Sequence, residues 1–207
     1  MESKEFKNEY SRACDLSERF NAFWKCIFKT DEDYFKRLSI TELVNLKKAV
    51  SNINNIITLR VTNEFISFLQ RNKLISVSEA KKLYDAVDCQ HPNANGFDIK
   101  SQSPKIIAEV KCCIPVEKHC YGAAQVDSII SDIIHLAENK SKSGIDDSDI
   151  KDYYKFMVLL DGDRVADSID KLIEKINRDH PEIRVEMYTP NARLHTSVVY
   201  IVSIELK

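Results

Sequence analysis

Between Phe97 and Leu206 short apolar runs alternate with amphipathic stretches, and that alternation limits the folds open to the chain. Phe97-Asp98-Ile99 and residues 105–113 read as two strands, joined by the turn Ser101-Gln102-Ser103-Pro104. Residues 121–140 come next as a helix whose buried side is Val126, Ile129, Ile130, Ile133, Ile134 and Leu136. Tyr154–Leu160 is a third strand, turned by Asp161-Gly162-Asp163. Residues 164–178 form a second amphipathic helix on Val165, Ile169, Leu172, Ile173 and Ile176, and residues 183–188 and 197–206 are the last two strands. A ββαβαββ order is an α/β or α+β layer design.

The first half reads differently. Residues 1 to about 88 carry helical periodicity, beginning with Phe6, Tyr10, Ala13, Phe20, Phe23, Trp24, Ile27 and Phe28. A long helix starts after Thr41, with Glu42 in its first turn and Leu43, Leu46, Val50, Ile53, Ile57, Val61, Phe65, Phe68 and Leu69 as its apolar positions. The Ser and Asn residues clustered over 51–55 are its candidate break. Ser76, with Glu79 at the capping-box spacing, opens a shorter helix through Ala80, Leu83, Tyr84 and Val87. We expect one domain over residues 1–207, with 1–75 a helical region for dimerisation or DNA contact and 76–207 the core.

Composition excludes several classes. With 30 basic and 32 acidic residues the net charge is −2, which rules out a histone-like polybasic binder but leaves room for a local basic cleft. The longest purely apolar runs, Phe156-Met157-Val158-Leu159-Leu160 and Val198-Val199-Tyr200-Ile201-Val202, are far shorter than the ~20 residues that span a bilayer. Met1-Glu2-Ser3-Lys4-Glu5-Phe6-Lys7 lacks the apolar stretch of a signal peptide. Six cysteines without a CxxC pair suggest free thiols in a reducing cytoplasm, so we expect a cytoplasmic protein that binds no membrane. Neither GxGxxG nor GxxxxGK[ST] occurs, so no nucleotide cofactor is expected.

The chemistry lies between Asn95 and Cys113. In a strand over residues 105–113, Ile106, Ala108, Val110 and Cys112 share one face, and Ile107, Glu109, Lys111 and Cys113 share the other. The hairpin turn brings Asp98 near Ala108 and Glu109. Two neighbouring carboxylates repel unless a cation neutralises them. Hard oxygen donors suit Mg²⁺, and a Mg²⁺-bound water beside an ammonium group is an apparatus for phosphodiester hydrolysis.

Gly96-Phe97-Asp98-Ile99, followed by Ile107-Ala108-Glu109-Val110-Lys111, resembles the signature of the PD-(D/E)xK nuclease superfamily. The resemblance covers roughly residues 76–207 and implies a restriction-endonuclease-like fold, a mixed central sheet flanked by helices, here with an N-terminal helical region. It implies that Asp98, Glu109 and the main-chain carbonyl of Val110 hold Mg²⁺ and that Lys111 is the catalytic lysine. Phe97 stands where many members have proline. The resemblance also suggests a further acid on a preceding helix, for which Glu64 is the candidate. A polar catalytic residue on the following helix is suggested too, and Gln125 is its candidate. Against these stand a solvated helix charge for Glu64 and a plain first helical turn for Gln125.

Among the superfamily's branches the chain most resembles a type II restriction endonuclease. That implies a Mg²⁺-dependent enzyme of a prokaryotic cytoplasm, cutting double-stranded DNA at a specific sequence as a homodimer. Residues 1–75, the helix 164–178 and the loop 141–150 are candidates for dimer or groove contacts. The alternatives are a repair or phage-defence nuclease without strict specificity and an inactive DNA-binding module of the same fold. Zinc binding by Cys89, His91, Cys112, Cys113, His119 and Cys120 fits no standard spacing. A nucleophilic pair of Cys120 with His119 or His135 has no supporting pattern. The short basic groups Lys47-Lys48, Arg71-Asn72-Lys73 and Lys81-Lys82 read as solvated helix faces before phosphate contacts.

Overall fold

The structure is a computed structural model that describes residues 11–90, 95–115 and 120–206. The readings at Phe6 and Tyr10, at His91 to Ala94 and at His119 lie outside the described residues. The chain divides into two compact units, Met1–Asn52 and Ile53–Lys207.

In the first unit, α1 (Arg12–Phe28) is capped by Ser11, whose side chain accepts from the Cys14 amide. Next come α2 (Tyr34–Arg37) and the start of α3 (Ile40–Arg71). Trp24 stacks on Phe28 with ring centroids 5.1 Å apart and also meets Phe20 and Tyr34, so aromatic contacts hold α1 to α2. The break expected over residues 51–55 does not occur, because α3 is continuous. Ser and Asn lower helix propensity by only tenths of a kcal/mol each, too little to interrupt a helix of this length. The boundary between the two units falls within that same polar stretch.

The second unit is a five-stranded mixed sheet flanked by helices, in the order β1-β2-β3-β5-β4. β1 (Ile99–Gln102) and β2 (Lys105–Lys111) form the antiparallel hairpin. The other neighbours, β2 with β3 (Tyr154–Leu160), β3 with β5 (Val198–Ile204) and β5 with β4 (Arg184–Met187), are parallel. Parallel strands covered on both faces need near-continuous apolar runs, which is what β3 and β5 contain. One face carries Ile107, Met157, Leu159, Val199 and Ile201 against α5 (Ala123–Glu138) and α6 (Val165–Asp179). The other carries Ile106, Ala108, Val110, Phe156 and Tyr200 against the second half of α3 and against α4 (Val77–Asp88). Residues 53–75, expected within the helical region for dimerisation or DNA contact, supply core to the sheet through Val61, Phe65, Ile66 and Leu69.

Local signals explain several element ends. Ser76 caps α4 by accepting from the Glu79 amide at 3.1 Å, while the Glu79 carboxylate turns to the Ser101 hydroxyl at 2.7 Å and joins α4 to β1. β1 starts and ends later than expected: Ser101 and Gln102 pair with Ile106 and Lys105, so the turn is reduced to Ser103-Pro104 and Asp98 lies just ahead of the strand. No helix among the described residues is long and apolar enough to cross a membrane.

Lys155 is buried within β3 at 3% exposure. Its amine donates to the carbonyls of Tyr153, at 3.0 Å, and Thr196. Burial pulls its pKa down to about 8, with Asp152 opposing. The unfolded chain thus holds more protons than the folded one between about pH 8 and the ordinary lysine value, and stability rises with pH across that window. We expect urea denaturation to show wild-type stability rising from pH 8 to pH 10 by at most about 3 kcal/mol. The rise should be absent in Lys155→Met; equal pH slopes for the two proteins would contradict the assignment.

Candidate active site

Asp98 is delivered by a tight entry into the hairpin. Gly96 adopts φ +107°, a region that disfavours residues with a side chain. Phe97 is buried against the α5 and α6 side of the sheet. Ile99 is buried on the opposite side, so Asp98 sits between two anchors. With Ile99 opposite Ala108, the register places Asp98 across from Glu109. The ladder is completed by a side chain, because Asp98 Oδ2 accepts from the Val110 amide at 2.7 Å. The amide and carbonyl of one strand residue leave the same edge, so the Val110 carbonyl faces the side where Asp98 lies.

Glu109 is 4% exposed and stands next to Asp98. Burial, then the Asp98 charge, pushes its pKa up to about 8, with Lys140 pulling the other way. Burial also raises the pKa of Asp98, against its bond from Val110 and its contacts with Glu109 and Lys140. Two ammonium groups compensate the acids. Lys140 Nζ lies 2.8 Å from Glu109 Oε1 and 5.9 Å from the centre of the Phe97 ring. Lys111 Nζ lies 2.8 Å from Asp132 Oδ2. Burial opposes the charge on Lys111, but Asp132 and Glu109 outweigh it and its pKa is raised. Asp98, Glu109 and Lys111 thus come together at one end of the hairpin.

The two softer candidates have other partners. Glu64 pairs with Arg71 at 2.8 Å and lines an open cleft with Asn63, Tyr84 and Ser203, on the α3 side of the sheet. Glu109 faces the α5 side, so Glu64 does not join the acid pair. Gln125 accepts from the Gly122 amide at 2.9 Å and donates to the Ile114 carbonyl at 3.1 Å, closing the first turn of α5. Its amide is engaged by backbone at both ends.

Sequence reasoning missed Asp132 and Lys140. Asp132 had a signal, a carboxylate inside Ile129-Ile130-Ser131-Asp132-Ile133-Ile134, on a helix otherwise apolar at that point. Lys140 had none, since it lies beyond the last turn of α5. A hydrogen-bonded loop sets its position. Asn139, at φ 94°, donates to Ile145 O and Asp147 Oδ1 and accepts from the Ser143 hydroxyl and the Lys140 amide.

The donor set fits a hard divalent cation. Asp98, Glu109 and the Val110 carbonyl are all oxygen donors, and Mg²⁺ is typically held by one or two carboxylates while keeping several waters. Among the described residues there is no group of three or more His, Cys, Asp or Glu side chains arranged to hold a metal ion. The cysteines are free, and Cys113, whose thiol burial pushes up, lies near Lys111 and Asp132. No family model, curated protein or solved structure matches the chain.

The raised pKa of Glu109 makes a prediction about stability. The folded state holds a proton that the unfolded state releases between the ordinary glutamate range and about pH 8. Stability is therefore full below that window and lost as pH rises through it. In EDTA, wild-type protein should lose a few kcal/mol between pH 5 and pH 8, and Glu109→Gln should flatten the profile. Superimposable profiles in denaturant titrations would rule out a strained carboxylate at this position.

Proposed function

We propose that the chain is a Mg²⁺-dependent endodeoxyribonuclease of the PD-(D/E)xK kind, hydrolysing phosphodiester bonds of double-stranded DNA. The observation that carries this reading is the placement of Asp98 across from Glu109, with Lys111 on the Glu109 face of the same strand. The sheet order, with an antiparallel hairpin leading three parallel strands between helical layers, supports the restriction-endonuclease-like fold.

Each residue has a role that its surroundings favour. Asp98 and Glu109, aided by the Val110 carbonyl, would hold the cation. When bound, Mg²⁺ lowers the pKa of a coordinated water and draws charge from a phosphate oxygen. Lys111 is kept protonated by Asp132, so it is suited to neutralise charge on the phosphate and not to accept a proton. Asp132 positions Lys111. Gln125 keeps the start of α5 in place through its cap. The narrower form of the reading is a type II restriction enzyme working as a homodimer, because cutting both strands at a palindromic site calls for two active sites.

The test is digestion of supercoiled plasmid. We expect discrete fragments with Mg²⁺, none with EDTA, and loss of cleavage by at least about a hundredfold in Asp98→Ala and Lys111→Ala. Calcium-supported DNA binding should persist in both variants. A smear of products would favour a repair or phage-defence nuclease. Binding without cleavage in both Mg²⁺ and Mn²⁺ would indicate an inactive module, and near wild-type cutting by either variant would overturn the residue assignment.

A further inference from the structure

We infer that Lys140 is a built-in competitor for the divalent cation. Its ammonium group is the counter-ion of the Asp98–Glu109 pair, and a metal ion entering the pair must displace it. This rests on the acid pair being a metal site.

Three observations support it. The Lys140 ammonium occupies one oxygen of Glu109 at 2.8 Å and also acts electrostatically on Asp98, so it contacts one acid and compensates the other. Its position is not a matter of a loose side chain. The loop that carries it is braced by Asn139 and Ser143, and Lys100 Nζ donates to the Ser143 carbonyl at 3.0 Å, which ties that loop to β1. The local charges, finally, divide between the two lysines. Asp98, Glu109 and Asp132 face Lys111 and Lys140, and Asp132 already holds Lys111. Among the described residues Lys140 is thus the cation in contact with Glu109, and its Nζ and a metal ion would draw on the same carboxylate.

Competition at a shared ligand has a definite sign. Breaking a charge-assisted hydrogen bond opposes metal binding, so removing the ammonium group should strengthen it. Lys140→Met keeps much of the apolar stem over Phe97 and removes the charge, whereas Lys140→Arg keeps the charge. The Lys140 side chain is 27% exposed, so both substitutions can be accommodated.

The experiment is calorimetric titration of Mn²⁺ into the metal-free full chain without DNA, for wild type, Lys140→Met, Lys140→Arg and the double variant Asp98→Asn/Glu109→Gln. We expect Lys140→Met to bind about tenfold more tightly than wild type, Lys140→Arg to stay near wild type, and the double variant to lose this binding. Binding that depends on Asp98 and Glu109 but is equal or weaker in Lys140→Met would overturn the role of Lys140 and leave the metal site standing. An absence of Asp98- and Glu109-dependent binding in every protein would overturn the metal site and the inference together.

Discussion

The bond from the Val110 amide to the Asp98 carboxylate is the interaction on which the site depends. β1 begins at Ile99, so at the next position the edge of β2 has no strand backbone beside it. The Asp98 side chain takes that place in the ladder and is held there by a buried residue on either side, Phe97 and Ile99. Glu109 projects from β2 directly across. The carboxylate pair is therefore a product of strand register, and a one-residue slip would send Glu109 to the opposite face.

A buried acid beside a half-buried one calls for positive charge, and the fold supplies it from β2 itself and from the loop after α5. Lys111 is turned toward Asp132, and Lys140 reaches Glu109. These two ion pairs separate the lysines by task. One is fixed as a cation next to the acids, and the other shields them. Partly buried pairs of this sort are poor sources of stability, because desolvation offsets much of the attraction. Together they concentrate charge at the end of the hairpin, around Glu109.

The hairpin, the nearness of Asp98 to Glu109 and the shared face of Glu109 and Lys111 were legible in the sequence, because strands have a periodicity of two and Ser103-Pro104 marks a turn, although β1 lies later than expected. β3 and β5 were legible for the same reason, being apolar runs of strand length. What was not legible depended on distance along the chain. Lys140 lies 31 residues from Glu109, and nothing local marks it as a partner. Asp132 was hidden in a helix read only for its apolar side. The second half of α3 reads in the sequence as part of a helical region for dimerisation or DNA contact, since an amphipathic pattern does not say which surface it covers; here Phe65 packs on Phe156 at 5.4 Å. Glu64 and Gln125 had suitable chemistry at suitable distances in sequence, but an ion pair with Arg71 and a helix cap engage them.

Most direct for the central claim, that this hairpin gathers its acids around a hard cation, is anomalous diffraction from crystals soaked in Mn²⁺. The predicted result is a peak about 2.2 Å from carboxylate oxygens of both Asp98 and Glu109, with Lys140 Nζ withdrawn from Glu109. Saturating Mn²⁺ that leaves no peak between those carboxylates, with Lys140 still bonded to Glu109, would contradict it.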